Sequence, residues 1–242
     1  MKELAEFERK VGEINDLAEL LIFVRDETAK LGAVRQSYHL TPVFGAPTSA
    51  QTEVYANGFS REWLALYSEK NFRVLDPIPS FTLRHGKPIH WMEAIEQSMD
   101  QPGVAEFAAA LAEHGLSHGF GVPLYGPHGR DAYCSFDLGR PTTSEDEPIV
   151  MRMRGMAQVA HQKICQLVEQ GQEMPTLSQR ESEVLGWMAE GKSNTDIGTI
   201  PDISPETVRT YTQRIFQKLG ASDRTSATVK ALKLGVLTLP SA

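Results

Sequence analysis

The sequence of 242 residues contains little cysteine and no long apolar run. Its two cysteines, Cys134 and Cys165, cannot form the set of disulfides that stabilises small secreted domains. No stretch of about 18 apolar residues is present, so no membrane-spanning helix is expected. The first residues are polar and acidic and lack the apolar segment of a secretion signal. These absences predict a protein of the reducing cytoplasm that does not bind membranes.

Positive charge is also scarce, and it is unevenly distributed. The chain has 24 Lys and Arg against 31 Asp and Glu, a net charge of −7. From residue 175 onward there are eight basic and seven acidic residues, so the excess of acid lies entirely in residues 1–174. A charge of +1 is low for a segment that binds nucleic acid, and such a function has to be inferred from residue pattern instead.

Length and pattern together predict two domains. Hydrophobic residues make up 41% of the chain and charged residues 23%, which is ordinary for globular protein. We predict a first domain over residues 1–170 and a second over 177–242. Residues 171–176 are polar, contain glycine and proline, and are predicted to link the two.

The first domain combines helical and strand patterns. Apolar residues at helical spacing predict helices over residues 3–31, 60–70, 103–114 and 147–169. Residues 40–58 are predicted to be a loop with one strand, and the Asp-Pro-Ile-Pro sequence at 76–79 to break any regular element. Two β-like runs are predicted at 120–125 and 132–138, joined by a turn. Helices before and after strands predict an α+β fold, an α-β-α sandwich with a mainly antiparallel sheet.

The second domain is marked by helix-capping sequences. Ser178 with Glu181, and Ser193 with Asp196, have the spacing of capping boxes and begin the first two helices. Ser204 followed by Pro205 has the residues that favour the start of a third helix. A fourth is predicted over 224–234. Four short helices with a tight turn between the second and third predict an all-α helix-turn-helix domain.

The third of these helices has two different faces. Its apolar positions are Val208, Tyr211, Ile215 and Leu219, which predict the buried side. The opposite side carries Glu206, Arg209, Thr210, Gln213 and Arg214. Arg pairs with guanine, Gln with adenine, and Thr contacts the thymine methyl group. A solvated helical face without any ligand is the alternative interpretation.

This domain resembles the LuxR-type DNA-binding domain over about 60 residues. The resemblance rests on Leu177-Ser178-Gln179-Arg180-Glu181, Val184-Leu185, Gly191-Lys192-Ser193, Asp196-Ile197, Ile203-Ser204, Thr207-Val208, Lys218-Leu219 and Asp223-Arg224. It implies that operator DNA is bound by a homodimer, because two-fold operators match two-fold proteins. The residues expected at the DNA are Lys192, Ser193, Thr207, Arg209, Thr210, Gln213, Arg214 and Lys218.

Aromatic residues and one acid stand out in the first domain. Trp63 and Tyr67 are four residues apart, so their rings share one helix face. Asp76-Pro77 and Trp91 follow. A carboxylate among aromatic rings is costly to bury unless it accepts hydrogen bonds, and the amide N–H of a ligand supplies one. Core aromatics beside an ordinary Asp-Pro turn are the alternative.

These residues resemble the acyl-homoserine-lactone-binding domain of quorum-sensing LuxR regulators. The resemblance implies that Asp76 accepts from the ligand amide, that the Trp91 indole donates to the lactone carbonyl, and that Ser135 faces the acyl amide. The expected ligand-binding residues are Phe59, Trp63, Tyr67, Asp76, Ile78, Trp91, Gly121 and Ser135. Phe59 and Gly121 depart from the family, in which the first position is often Tyr and the second is Thr in some members.

The sequence therefore predicts a regulator that binds an acyl-homoserine lactone, or a related amide signal, and DNA. No cofactor, metal or catalytic residue is expected. Gly115-Leu116-Ser117-His118-Gly119 matches the G-x-S-x-G motif of hydrolases, but the helix precedes the strand, in the reverse of the order that the motif requires. The alternatives are a regulator that senses another ligand or a partner protein, and an enzyme with a DNA-binding tail.

Overall fold

The structure is a computed structural model that describes residues 2–41, 47–49, 51–170 and 175–237. The chain divides into two compact units, Met1–Gln170 and Gly171–Ala242. Most of the predicted linker lies outside the described residues. Among the helices that the structure describes, none is both long and apolar enough to cross a membrane.

The first unit has a five-stranded sheet flanked by helices. Its helices are α1 (Lys2–Glu13), α2 (Leu17–Ala29), α3 (Arg61–Glu69), α4 (Phe72–Leu75), α5 (Ile78–His85), α6 (Trp91–Glu96), α7 (Val104–Glu113) and α8 (Glu147–Gln170). Its strands are β1 (Arg35–Leu40), β2 (Glu53–Asn57), β3 (Ile89–His90), β4 (Phe120–Leu124) and β5 (Ala132–Asp137). The strand order is β2-β1-β5-β4-β3, and all neighbours are antiparallel.

The two faces of this sheet belong to different cores. Side chains alternate between the faces along a strand, so Ala132, Cys134 and Phe136 of β5 enter one core while Tyr133 enters the other. The first core is shared with α1, α2 and α8, and the second with α3 to α7. The predicted α-β-α sandwich is confirmed, and the second face is the one that matters for the site.

The predicted single helix over residues 3–31 is wrong, because two helices occupy this region. The chain leaves α1 after Glu13, and the Asp16 side chain accepts from the backbone N–H of Glu19 at 2.8 Å. An aspartate that bonds the backbone in this way begins a new helix and interrupts the apolar periodicity that runs through both.

The expected break at residues 76–79 is correct only in part. Helix α4 ends at Leu75, but α5 begins at Ile78, immediately after Pro77. Pro77 is the N-cap of α5 and Pro79 lies in its first turn. The first turn of a helix leaves its N–H groups unpaired, so a proline there removes no helical hydrogen bond. The strand predicted within 40–58 is β2, whereas β1 was missed. Most residues of β1 are polar, so this strand lacks the alternation of apolar and polar residues that marks a half-buried strand.

The second unit contains four helices within the described residues. They are α9 (Gln179–Ala189), α10 (Asn194–Thr199), α11 (Pro205–Leu219) and α12 (Arg224–Lys233). Both predicted capping boxes form, and Ser204 caps α11 by accepting from the N–H of Thr207 at 3.1 Å. The helices share a core of their own that includes Leu185, Ile197 and Ile215. The predicted four-helix arrangement is confirmed.

Candidate functional site

A cavity of about 70 Å³ lies on the second face of the sheet in the first unit. It is lined by residues of β1, β2 and β5 on one side and of α3, α5, α6 and α7 on the other. Most of its lining is aromatic or aliphatic. The lining residues are Ser37, His39, Val54, Ala56, Phe59, Trp63, Leu64, Tyr67, Asp76, Ile78, Trp91, Phe107, Leu111, Tyr133 and Ser135.

Asp76 brings a carboxyl group into this apolar lining. It lies between α4 and α5, where its Oδ1 accepts from the N–H of Ile78 at 2.9 Å and its Oδ2 from the hydroxyl of Tyr67 at 3.1 Å. Burial raises the pKa of Asp76 to about 7, although both hydrogen bonds act to lower it. A carboxylate has about four acceptor positions. A further donor from a bound molecule would therefore stabilise its ionised form.

Aromatic rings form one wall of the cavity. The ring centroid of Trp63 is 5.8 Å from that of Tyr67, 6.1 Å from that of Phe72 and 6.2 Å from that of Phe107. These are the separations of stacked and tilted aromatic pairs. Helix α3 presents Trp63 and Tyr67 together because they are one helical turn apart, and the Ser60 cap fixes where that helix starts. The wall suits an apolar ligand chain or a flat group.

The indole of Trp91 already has a partner within the protein. Its Nε1 donates to the hydroxyl oxygen of Tyr133 at 3.2 Å. Both side chains are almost fully buried. Burial is the largest of the causes that raise the pKa of Tyr133 far above its usual value, so the phenol stays protonated.

Three further polar side chains run along the cavity floor. The Ser37 hydroxyl lies 2.7 Å from that of Ser135 on the adjacent strand and 2.9 Å from Nε2 of His39. Burial, with a smaller contribution from the charge of Arg73, lowers the pKa of His39 to about 3. The imidazole is neutral at physiological pH, and this group therefore offers hydrogen bonds without charge.

The structure brings together seven of the eight residues predicted to bind a ligand. Gly121 is the exception, because the Tyr133 ring and the Thr82 hydroxyl cover it and it does not line the cavity. Sequence reasoning missed Tyr133, Ser37 and His39. Tyr133 could have been found from the period of two in β5, since it precedes Ser135 by two residues.

In the second unit, α11 presents the face predicted to contact DNA. Glu206, Arg209, Thr210, Gln213 and Arg214 are all exposed. The opposite face is buried through Val208, Thr212, Ile215 and Leu219. The guanidinium of Arg214 lies 6.0 Å from the ring centre of Tyr211, which orients it along the helix surface.

The other residues predicted at the DNA differ in what they already contact. Lys192 is half-buried, with its Nζ 3.6 Å from Glu190, and Ser193 donates to Asp196 at 2.6 Å within its capping box. Thr207 is exposed at the first turn of α11.

Lys218, by contrast, is held within the unit. Its Nζ lies 2.7 Å from the buried carboxylate of Glu181 and donates to the carbonyl of Thr176 at 3.0 Å. This ammonium fastens α11 to the start of α9. The Lys218 side chain is 40% exposed, and its expected contact with DNA stays a prediction.

The hydrolase-like Ser117 lies between α7 and β4, so a helix precedes it and a strand follows. A nucleophile elbow requires a strand, a sharp turn and then a helix. Among the residues that the structure describes, no group of three or more His, Cys, Asp or Glu side chains could hold a metal ion.

A sensor-like α-β-α unit with a lined cavity, followed by a helix-turn-helix unit, defines a ligand-responsive transcriptional regulator. The family described as "Autoinducer binding domain" matches residues 16–164, more than half of the chain. The family described as "Bacterial regulatory proteins, luxR family" matches residues 175–231. The chain belongs to the LuxR family of autoinducer-binding transcriptional regulators.

Individual relatives agree with this assignment. RpaR, a quorum sensing-dependent transcriptional regulator of Rhodopseudomonas palustris, is 32% identical over 193 residues, which cover 76% of this chain and 75% of RpaR. A crystal structure of Escherichia coli SdiA has a TM-score of 0.77 at 20% identity and covers 97% of this chain and 98% of its own. A structure of SdiA in complex with octanoyl-rac-glycerol has a TM-score of 0.72 at 20% identity, covering 97% and 95%. At this identity, the likeness to SdiA shows the fold alone.

Proposed function

We propose that the first unit binds an N-acyl-homoserine lactone or a related acyl amide, and that the second binds operator DNA as part of a homodimer. The observation that carries the ligand proposal is the Asp76 carboxyl group. It is buried at the edge of an aromatic cavity and has two donors, fewer than it can accept. An amide N–H is the kind of donor that would complete it.

The cavity lining fits the rest of such a ligand. Aliphatic and aromatic side chains such as Leu64, Ile78 and Phe107 suit an acyl chain, and the hydroxyls of Ser37 and Ser135 suit the amide carbonyl. At about 70 Å³ the cavity is smaller than the roughly 300–1,000 Å³ of typical small-molecule sites. A bound acyl amide would therefore displace lining side chains or extend beyond the cavity.

The DNA proposal rests on the exposed face of α11. Arg209, Gln213 and Arg214 carry the donors and acceptors that read base edges in the major groove, and the helix is capped and packed on its other side. Residues 175–242 have a charge of only +1, so a single copy has little electrostatic attraction for phosphates. A dimer doubles the contacts and matches a two-fold operator.

The ligand proposal is tested by mass spectrometry of solvent extracts from the purified protein. The protein is expressed with and without added N-acyl-homoserine lactones, and Asp76→Asn is prepared alongside as a matched control. We expect the parent protein to retain an acyl amide that the variant loses. A parent protein that retains none, or that converts the lactone into a product, would contradict the proposal.

A further inference from the structure

The ring of Tyr133 reaches into the end of the cavity where Trp91 lies. Tyr133 projects from β5 on the same face as Ser135, and its side chain is almost fully buried. Its ring centre is 5.0 Å from that of His39 on β1, in an edge-to-face arrangement. An aromatic side chain packed in this way has few alternative rotamers.

Gly121 makes room for this ring. A Cβ atom at position 121 would stand 2.4 Å from Cε2 and 2.9 Å from the hydroxyl oxygen of Tyr133. Such distances are too short for any non-bonded contact, so a side chain at 121 and the present position of the ring exclude each other. The glycine that departs from the family pattern thus permits the phenol to lie against β4.

A hydrogen bond holds the phenol at this place. Trp91 donates to the Tyr133 hydroxyl from its indole Nε1 at 3.2 Å. The ring is therefore fixed through Trp91 of α6 as well as by packing against β4. Trp91 is expected to donate to the head group of the signal, and its indole already contacts Tyr133.

We propose that Tyr133 limits the head group of the signal, so that the cavity prefers an acyl amide with a small open-chain head group to one with a lactone ring. This inference rests on the proposed function, because it assumes that Asp76 binds the amide. The phenol fills space beside the Trp91 indole that a ring-shaped head group would need. An open-chain head group of two or three atoms requires less displacement of the fixed ring.

The test compares two probes that share the acyl chain and the amide, N-acylethanolamine and N-acyl-homoserine lactone, each with butanoyl and octanoyl chains. Dissociation constants are measured by calorimetry on the full chain. We expect the parent protein to bind the ethanolamide at least tenfold more tightly than the lactone of the same chain. Tyr133→Ala should reduce the ratio of the lactone to the ethanolamide dissociation constant at least tenfold, because it opens the end of the cavity that receives the head group.

Two further variants separate space from chemistry. Tyr133→Phe keeps the ring and should keep the parent's ratio, and Tyr125→Ala removes an exposed tyrosine and should also leave it unchanged. A parent protein that binds the lactone as tightly as the ethanolamide overturns the inference, even if Tyr133→Ala fails to fold. An unchanged ratio in folded Tyr133→Ala does the same. If neither probe binds any of the proteins, the proposed function itself fails.

Discussion

The two units use polar side chains in opposite ways. In the first unit, Asp76, Ser37 and Ser135 are buried and bonded to other protein groups around a cavity. In the second, Arg209 and Gln213 stand in solvent on one face of a helix. Desolvation and contacts between residues distant in sequence therefore determine the arrangement of polar groups in the cavity. On the helix face, the spacing of residues along one helix determines it.

The acids of the two units show the same contrast. Burial raises the pKa of Asp76 to about 7. Hydrogen bonds from Ser193 lower the pKa of Asp196, and those from Ser226 lower the pKa of Asp223, because both acids cap exposed helix ends. The second unit is thus stabilised by ionised acids, and the cavity of the first resists ionisation.

The largest effect is expected in the pH dependence of stability. In the folded protein Asp76 holds its proton up to a pKa of about 7, against a reference value of 3.8. The contribution of this protonated carboxyl group to the free energy of unfolding is full below pH 3.8 and is lost as the pH rises towards 7. The loss amounts to up to about 4 kcal/mol, at roughly 1.4 kcal/mol per pKa unit. Denaturant unfolding of the parent protein and of Asp76→Asn should therefore show a difference in the free energy of unfolding that falls over this range.

Buried histidines change the free energy of unfolding with pH in the opposite direction, but they are present in both the parent protein and Asp76→Asn. The pKa is lowered to about 3 in His39 and to about 4 in His161, so each contributes stability that is lost as pH falls below about 6.5. Their effect cancels in the difference between parent and variant. A difference that stays constant between pH 4 and 7 would show that Asp76 is not buried as described.

The next largest effect concerns the signal. Asp76→Asn replaces a carboxyl group, which is a pure acceptor once ionised beside a bound amide, by a group that must also place two donors. A hydrogen bond to a charged group contributes about 1.5–3 kcal/mol, so we expect the half-maximal signal concentration in a reporter assay to rise roughly tenfold or more. Asp100→Asn, at an exposed site, is the control. An unchanged response in Asp76→Asn would remove the cavity from consideration as the signal site.

A comparable effect is expected on the helix face. Arg209→Ala should cost about 1–3 kcal/mol of operator binding and relax base preference at one position per half-site. Lys192→Ala should weaken binding to all sequences alike and flatten its salt dependence. Gel-shift titrations on operator and scrambled DNA at two salt concentrations distinguish these outcomes. Arg180→Ala on α9 serves as the control, and normal operator binding by Arg209→Ala would refute the assignment of α11.

The smallest effect concerns the local signals that build the second unit. Ser193→Ala removes the cap of α10 and should destabilise a fragment from Met174 to Ala242 by about 0.5–2 kcal/mol. Ser182→Ala, at an exposed position inside α9, should be neutral or slightly stabilising because alanine favours helix. Thermal unfolding followed by circular dichroism measures both changes. A fragment without helical signal would contradict the separate core.

Much of the second unit could be predicted from sequence, because its determinants are local. The capping boxes at Ser178 and Ser193, and the cap at Ser204, specify where helices begin within three residues of sequence. The apolar spacing from Val208 to Leu219 specifies which side of α11 is buried. The ion pair between Lys218 and Glu181 could not be predicted, because Glu181 lies 37 positions earlier and only the packing of α11 against α9 brings the two together.

The cavity could be predicted only as a set of residues and not as an arrangement. The sequence by itself determined the aromatic face of α3, the Asp-Pro element and the strand that carries Ser135. Tertiary structure decided that Tyr133 covers Gly121, bonds Trp91 and narrows the cavity, since these residues lie on separate strands and on a helix. The residue pattern along one helix or strand indicates which of its side chains are buried and on which face they lie. Distances between elements follow from packing, which the sequence of a single element does not encode.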